Sequence, residues 1–159
     1  MHLIDTHTHL DFPDFDADCA AVLARSRAAG VQQMVVLGVY QANWQRIWDL
    51  ARVVDDLYAA LGMHPVYLQQ HQPEHLSELR NWLERLAGQP KLCAVGEIGL
   101  DFFLPELDQT AQQTLFEAQL GLAAEFELPA LLHVRRAHAA TIATLERFKR
   151  QRGGIVHAF

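Results

Sequence analysis

Histidines and one glutamate stand at the ends of β-like segments, and these residue types at such positions are typical of metal ligands. They come from segments that lie far apart in the sequence. The set consists of His7, His9, His64, Glu97, His133 and His157. Imidazole nitrogens and carboxylate oxygens are common ligands of divalent cations. The pattern therefore predicts a metal centre if the fold brings the ends of these segments together.

The H-x-H pair and the acidic residue supply the simplest ligands. His7 and His9 share one face of a strand and can hold one cation, although such a pair alone is more often two ordinary histidines. Asp5 shares their alternation and either orients a histidine or caps the strand. Glu97 lies in the apolar segment V-G-E-I-G-L-D, where it needs a cation or an arginine as partner. The nearby histidines favour a cation as the partner. Because a carboxylate has two oxygens, Glu97 can also bridge two cations.

For each of the other histidines taken alone, the sequence does not decide between a structural and a functional role. His133 and His157 each end an aliphatic segment and alone would be satisfied core histidines, whereas together with Glu97 they favour metal binding. His64, in L-G-M-H-P-V, either contacts the substrate or completes a turn. Together with Glu97, it is a candidate catalytic residue. Surface positions are expected for the remaining four, which are His2, His71, His75 and His138.

Two arginines and one aspartate could serve the substrate. Arg135 and Arg136 follow His133, and a guanidinium can bind phosphate with two parallel hydrogen bonds. Arg135 is the candidate phosphate ligand, and the other arginine is expected to face a helix carboxylate. Asp101 is either a proton-transfer group or a loop acid that balances Arg135.

The elements that must position these residues alternate between short strands and helices. Strands are predicted at Leu3–Thr6, Met34–Val39, Leu57–Gly62, Leu92–Ile98, Ala130–Val134 and Gly154–His157. Helices are predicted over about Asp16–Ala29, Trp44–Ala51, 76–86, Asp108–Glu125 and Ala139–Lys149, with Asn43 as the N-cap of the second. The strands begin about 30 residues apart, which is the length of one βα unit. This alternation predicts a single α/β domain over residues 1–159 with a parallel sheet, whose carboxyl-end edge carries the site.

Two architectures fit such a sheet: an open doubly wound sheet or part of an eight-stranded barrel. The sequence lacks G-x-G-x-x-G and a P-loop motif, which weakens a nucleotide-binding interpretation. A complete barrel needs about 250 residues, so a barrel would be incomplete here, with about six of eight strands. Unpaired edges on the first and last strands would then favour self-association.

Composition narrows the class of protein further. The chain has 159 residues, half of them hydrophobic, and a formal net charge of −6. It contains no apolar run long enough to span a membrane, and its acidity argues against a protein that coats nucleic acid. The beginning of the chain lacks the features of a signal peptide, and two distant cysteines, Cys19 and Cys93, suggest a reducing cytosol.

Five motifs, in this order, resemble the signatures of the TatD family of metal-dependent deoxyribonucleases, with details most similar to its YjjV-like branch. They are D-T-H-T-H-L-D (5–11), L-G-M-H-P (61–65), G-E-I-G-L-D (96–101), L-H-V-R-R (132–136) and V-H-A-F (156–159). The resemblance implies a TIM-barrel metal-dependent hydrolase that cleaves ester bonds, usually DNA phosphodiesters. Thr8 and Val66 depart from residues that are frequent in the family, which affects the expected substrate preference rather than metal binding.

The resemblance also implies a ligand set. His7, His9 and Glu97 would hold one divalent ion, and Glu97, His133 and His157 would hold a second, with Zn²⁺, Mn²⁺, Mg²⁺ or Ni²⁺ as candidates. Family members continue past V-H-A-F to a metal-binding aspartate, so weak or no turnover is expected of these 159 residues alone. Two other interpretations stay open: a metal-dependent amidohydrolase or esterase of small molecules, and a non-catalytic remnant.

Overall fold

Six parallel strands form one sheet in the order of the sequence, from β1 to β6. The computed structural model describes residues 2–148 and 152–157. The strands are β1 (Leu3–Thr8), β2 (Val31–Leu37), β3 (Leu57–Leu61), β4 (Leu92–Asp101), β5 (Ala130–Arg135) and β6 (Gly154–His157). The helices between them are α1 (Cys19–Ala28), α2 (Trp44–Val53), α3 (Pro73–Arg85), α4 (Gln109–Glu125) and α5 (His138–Arg147). Each strand pairs in parallel with the next.

Alternation along the strands gives the sheet two apolar faces. The outer face, with Val36, Leu61 and Leu132 among its members, packs with the helices in the main core. The inner face carries a smaller cluster made of Leu37, Ala60, Ala94 and Leu131. Because side chains alternate in a strand, His133 lies on the same inner face as Leu131, two residues further along β5. The inner face thus changes from apolar to polar toward the carboxyl ends of the strands.

The sheet is curled, so that its two edge strands approach each other at this polar end. His7 belongs to β1 and His157 to β6, yet their ring centroids are 3.7 Å apart. A flat sheet of six strands would separate its edges by several strand spacings of about 4.8 Å each. The fold is therefore a curled half-barrel of the TIM-barrel type, which confirms the predicted fold class.

The predicted elements are all present, with shifted boundaries. Helix α1 begins at Cys19 rather than near Asp16, because a short 3-10 turn at Pro13–Phe15 precedes it. Strand β4 continues beyond Ile98 to Asp101. Asp108 caps α4, and its Oδ1 atom accepts hydrogen bonds from the backbone of Thr110 and Ala111. The expected end of the last helix, Lys149, lies outside the described residues.

Neither cysteine is bonded to another: Cys19 and Cys93 are free. Burial raises the pKa of the Cys93 thiol to about 11, so this side chain is protonated at neutral pH. The cytosolic location inferred from these residues stays a prediction. Within residues 2–148 and 152–157, the structure contains no helix with the length and apolar character that crossing a bilayer requires.

Candidate metal centre

The carboxylate of Glu97 is the centre of the polar end of the sheet. Glu97 lies in the middle of β4 and is buried, with 1% of its surface exposed. On one side, Oε2 is 3.2 Å from His7 Nε2 and 3.3 Å from His9 Nε2. On the other side, Oε1 is 3.0 Å from His64 Nε2 and 3.2 Å from His133 Nδ1, and it also contacts His157 Nε2. All the histidines predicted as site residues therefore meet at this single side chain.

A glycine in β4 permits this approach. Gly99 has a φ of 138°, a conformation that side chains rarely adopt. A Cβ atom at this position would lie 2.1 Å from the backbone oxygen of His133. Any other residue at position 99 would therefore push β5 away from β4 and separate His133 from Glu97.

The carboxylate of Glu97 is surrounded by more imidazole nitrogens than it can accept hydrogen bonds from. Two carboxylate oxygens offer about four lone-pair sites in total, and each oxygen offers about two. Three of the imidazoles crowd around Oε1 alone, namely those of His64, His133 and His157. Some of these nitrogens therefore face the carboxylate without a hydrogen bond, which is the arrangement expected of ligands that share cations.

His133 shows which of its nitrogens is available. Its Nε2 atom lies 2.9 Å from Oδ2 of Asp101, a fully buried carboxylate, and the Nε2–H donates a hydrogen bond to that oxygen. Its Nδ1 atom is buried, points toward Glu97 and has no hydrogen-bond partner. In the neutral ring, this Nδ1 carries a lone pair opposite a carboxylate oxygen, and a positive charge between the two atoms would relieve their repulsion. The residues thus fit a cation.

His64 has the opposite arrangement. Its Nδ1 atom accepts a hydrogen bond of 3.0 Å from the backbone N–H of Val66. Burial lowers the pKa of His64, so its ring is neutral and the single proton must lie on Nε2. This Nε2 faces Glu97 as a hydrogen-bond donor. The distances alone would group His64 with Glu97 and His133 as metal ligands, but the donor role of Nε2 makes His64 the poorest ligand of the five histidines.

The histidines of the two edge strands are more exposed. The side chains of His7, His9 and His157 expose 24%, 27% and 32% of their surface, against 9% for His64 and 10% for His133. Asp5 accepts a 3.0 Å hydrogen bond from the backbone N–H of His7. It therefore supports the strand end rather than an imidazole ring.

The pKa shifts at the site follow from the contacts between Glu97 and the histidines. Burial alone would raise the pKa of Glu97, but its contacts with His133, His157 and His64 outweigh burial and hold the pKa far below its usual range. Burial would likewise lower the pKa of His9 and of His133, whereas contact with Glu97 raises both. The carboxylate is therefore ionised, which is the form that binds metal.

Two glutamines of α4, which the sequence analysis missed, form hydrogen bonds with the backbone at the site. Gln112 and Gln119 lie two turns apart on one face of α4, and both are buried. Gln112 exchanges two hydrogen bonds, of 2.8 and 2.9 Å, with the backbone N–H and C=O of Asp101. Gln119 does the same for Met63, at 2.7 and 3.0 Å. Each amide thus fixes the backbone of a residue at or beside the centre, and no motif in the sequence signals this role.

Several secondary predictions were wrong. Of the two roles expected for Asp101, the pairing with Arg135 is excluded, because Asp101 pairs with His133 instead. Neither Arg135 nor Arg136 is within ion-pair distance of a described carboxylate; both guanidinium groups stack on the ring of Phe103 instead.

His71 is half-buried rather than solvated, with Nε2 2.9 Å from the backbone oxygen of His64. Asn43 precedes α2 as expected but does not cap it with its side chain, which instead donates a 2.8 Å hydrogen bond to Asp11.

Comparison with known proteins agrees with this geometry. The chain is 43% identical to the uncharacterized metal-dependent hydrolase YjjV of Escherichia coli over 98% of its own length and 60% of that protein. It is 35% identical to a protein of Pantoea vagans named 3'-5' ssDNA/RNA exonuclease TatD, over 99% of this chain and 60% of that one. The chain thus spans about 60% of the length of the curated relatives it matches.

Solved structures give the same picture. The crystal structure of Escherichia coli YjjV superposes with a TM-score of 0.93, covering 99% of this chain and 60% of that one. A TatD family hydrolase from Entamoeba histolytica, 21% identical, has the same fold with a TM-score of 0.86. The family model described as TatD related DNase matches residues 4–159. This match shows that the chain belongs to the family of TatD-related DNases, in agreement with the cluster of histidines around Glu97 at the carboxyl ends of the strands.

Proposed function

We propose that the protein is a divalent-metal-dependent hydrolase that cleaves phosphodiester bonds of DNA. The observation that carries this proposal is the convergence of five imidazoles on the buried carboxylate of Glu97. No ordinary structural role requires so many ligand-type side chains around one ionised group. Relatives named exonucleases support nucleic acid as the substrate.

The donor set suits two cations that share Glu97. His7 and His9 would hold the first ion together with Oε2 of Glu97. His133, through Nδ1, and His157, through Nε2, would hold the second together with Oε1. Bound cations would polarise a phosphoryl oxygen and lower the pKa of a water molecule. They would also supply the positive charge that an acidic chain needs to bind a phosphodiester.

The protein's own groups would then orient the substrate. Arg135 lies two residues beyond His133 on β5, so its side chain is on the same inner face, toward the open end of the site. Its guanidinium has no described carboxylate partner and is therefore free to bind the phosphate. His64 donates the proton on Nε2 to Oε1 of Glu97 and would hold this carboxylate in position while the substrate binds. These are the roles that we assign to the two residues beyond metal binding.

The test compares substrate classes on the purified chain with added Mn²⁺, Mg²⁺ or Zn²⁺. Binding of a labelled single-stranded oligonucleotide is measured by fluorescence anisotropy, and turnover is measured on the same oligonucleotide and on a panel of amides and carboxylic esters. We expect metal-dependent oligonucleotide binding that Arg135→Gln weakens about tenfold, since one charge-assisted phosphate contact is lost.

Arg85→Gln is the matched control. Arg85 also stacks on an aromatic ring, that of Trp82, with its guanidinium carbon 3.8 Å from the ring centroid, but it lies at the end of α3. The substitution should leave binding unchanged. Metal-dependent turnover of an amide or ester without oligonucleotide binding would instead favour a small-molecule hydrolase. Metal binding without either activity would favour the non-catalytic alternative.

Self-association also stays a proposal. Strands β1 and β6 are the two edges of the described sheet, and they expose Ile4, Ile155 and Val156. Exposed edges that carry apolar side chains are prone to pair with other chains. Sedimentation velocity over a range of concentrations tests this: association would appear as a rising sedimentation coefficient, and a monodisperse monomer would contradict it.

A further inference from the structure

The arginines of the described chain fall into two groups. Seven of them form ion pairs with acidic side chains, and these are Arg25, Arg27, Arg46, Arg52, Arg80, Arg147 and Arg152. Three have no described carboxylate within ion-pair distance, and all three stack on aromatic rings. One of the three, Arg85, lies on α3, whereas Arg135 and Arg136 lie side by side next to the metal centre.

Phe103 holds both of these neighbouring guanidinium groups. Its ring centroid is 3.7 Å from the guanidinium carbon of Arg135 and 4.7 Å from that of Arg136. A single ring therefore keeps two like charges close together, without a carboxylate to neutralise them. Stacking on a ring leaves the N–H groups at the edge of a guanidinium available to a ligand.

Phe103 is itself tied to the centre. Its backbone N–H donates a 2.9 Å hydrogen bond to Oδ1 of Asp101, and the other oxygen of that carboxylate binds His133. One buried carboxylate thus connects the aromatic ring to a candidate metal ligand. The position of the two guanidinium groups relative to the centre is therefore fixed by the same bonds that orient His133.

A local positive patch is unusual on this protein, whose net charge is −6. Such a patch attracts anions only near itself, because the rest of the surface repels them. One phosphate at the metal centre would be neutralised by the cations and by Arg135. The second guanidinium then remains for another anionic group of the same substrate.

We infer that Arg136, held by Phe103, forms a second phosphate subsite that binds the phosphodiester next to the one at the metal centre. The inference rests on the proposed function and narrows the substrate to a nucleic-acid strand with at least two phosphates. Mononucleotides and small monoesters would occupy the centre without using Arg136. The subsite would therefore distinguish a strand from a monomer.

The experiment measures how oligonucleotide binding depends on salt. Binding of a labelled single-stranded oligothymidylate is titrated in Mn²⁺ at several KCl concentrations, with wild type, Arg136→Gln and Arg85→Gln. Each phosphate contact on a single strand contributes about 0.7 to the slope of log affinity against log salt. We expect Arg136→Gln to lower the slope by about 0.7 and the affinity several-fold, and Arg85→Gln to change neither.

Competition with short ligands separates the two phosphates. Thymidine 5'-monophosphate should displace the labelled strand equally well from wild type and from Arg136→Gln, whereas the dinucleotide pTpT should lose affinity only for the variant. Phe103→Leu should reproduce the loss, because it removes the ring but keeps an apolar side chain.

Two results would overturn the inference. If Arg135→Gln lowers the slope but Arg136→Gln does not, the subsite does not exist while the proposed function stands. If wild type binds no oligonucleotide in the presence of metal, the proposed function and the subsite fail together.

Discussion

The two halves of the candidate metal centre are built differently. The central half consists of His64, which follows β3, and His133, which lies in β5. The edge half consists of His7, His9 and His157, which lie at the ends of the two outer strands. The central imidazoles are almost fully buried, and each has a hydrogen bond that fixes its ring. The edge imidazoles are about one quarter to one third exposed.

The difference shows where the protein prepares the site in advance. The central half is supported by the buried carboxylate of Asp101. The side-chain amides of Gln112 and Gln119 also form hydrogen bonds with the local backbone. The edge half has fewer supports among the described residues: the hydrogen bond from the His7 N–H to Asp5 and the ring of Phe12, which stacks on His9. We therefore expect the central half to keep its geometry without metal and the edge half to depend more on the ion itself.

Glu97 belongs to both halves, so its substitution should have the largest effect. Glu97→Gln keeps the shape of the side chain but removes the charge that the histidines surround. We expect the bound Zn²⁺ or Mn²⁺ to fall to a negligible level, measured by elemental analysis after gel filtration. The control is His138→Ala, which removes an exposed histidine outside the cluster and should leave the metal content unchanged. Full metal content in Glu97→Gln would show that Glu97 is not the shared ligand.

The amides on α4 should matter mainly for stability. Gln119→Leu leaves the buried N–H and C=O of Met63 without partners, and each unsatisfied group of this kind costs about 1–3 kcal/mol. We expect the free energy of unfolding to fall by at least that amount in urea titrations of the metal-free protein. Gln45→Leu, which breaks an exposed hydrogen bond to Asp49, should change stability by less than about 0.5 kcal/mol. Equal effects at the two positions would contradict a special role for α4.

The sequence was sufficient to predict the strands, the helices and the residues that meet at Glu97. Ligand-type residues at strand ends are informative because parallel strands share one carboxyl-end edge. Supporting residues were harder to predict because their roles depend on packing. Gln112 and Gln119 look like ordinary helix residues, and only the position of α4 against β4 and the loop after β3 makes them partners of the backbone.

Electrostatic partners were predicted less well for the same reason. Asp101 and Arg135 lie near each other and have opposite charges, so an ion pair was a reasonable expectation. Alternation in β4 and β5 instead places the Asp101 carboxylate against His133, while Arg135 extends over Phe103. The tautomer of His64 was also not predictable, since it depends on the N–H of Val66.

Asp101→Asn tests the support of the central half directly. The carboxylate accepts hydrogen bonds from both His133 and the Phe103 backbone. An asparagine side chain can accept only one of them through oxygen, and its NH₂ group would face the other donor. Loss of a carboxylate that orients a metal-binding histidine typically lowers metal affinity about 10–100-fold. A competition titration with a chromophoric chelator measures this loss, and an unchanged affinity would show that His133 needs no such support.

Asp5→Asn is the matching substitution in the edge half and should have the smallest effect. Asp5 accepts its hydrogen bond from the backbone N–H of His7 and not from an imidazole. The amide oxygen of asparagine can accept the same bond, so neither the strand end nor the ring orientation has to change. We expect the metal affinity to fall less than about threefold in the same titration, well below the 10–100-fold loss for a carboxylate bonded to the ring. A loss as large as that of Asp101→Asn would mean that the edge half is also prepared in advance, and the distinction between the two halves would have to be abandoned.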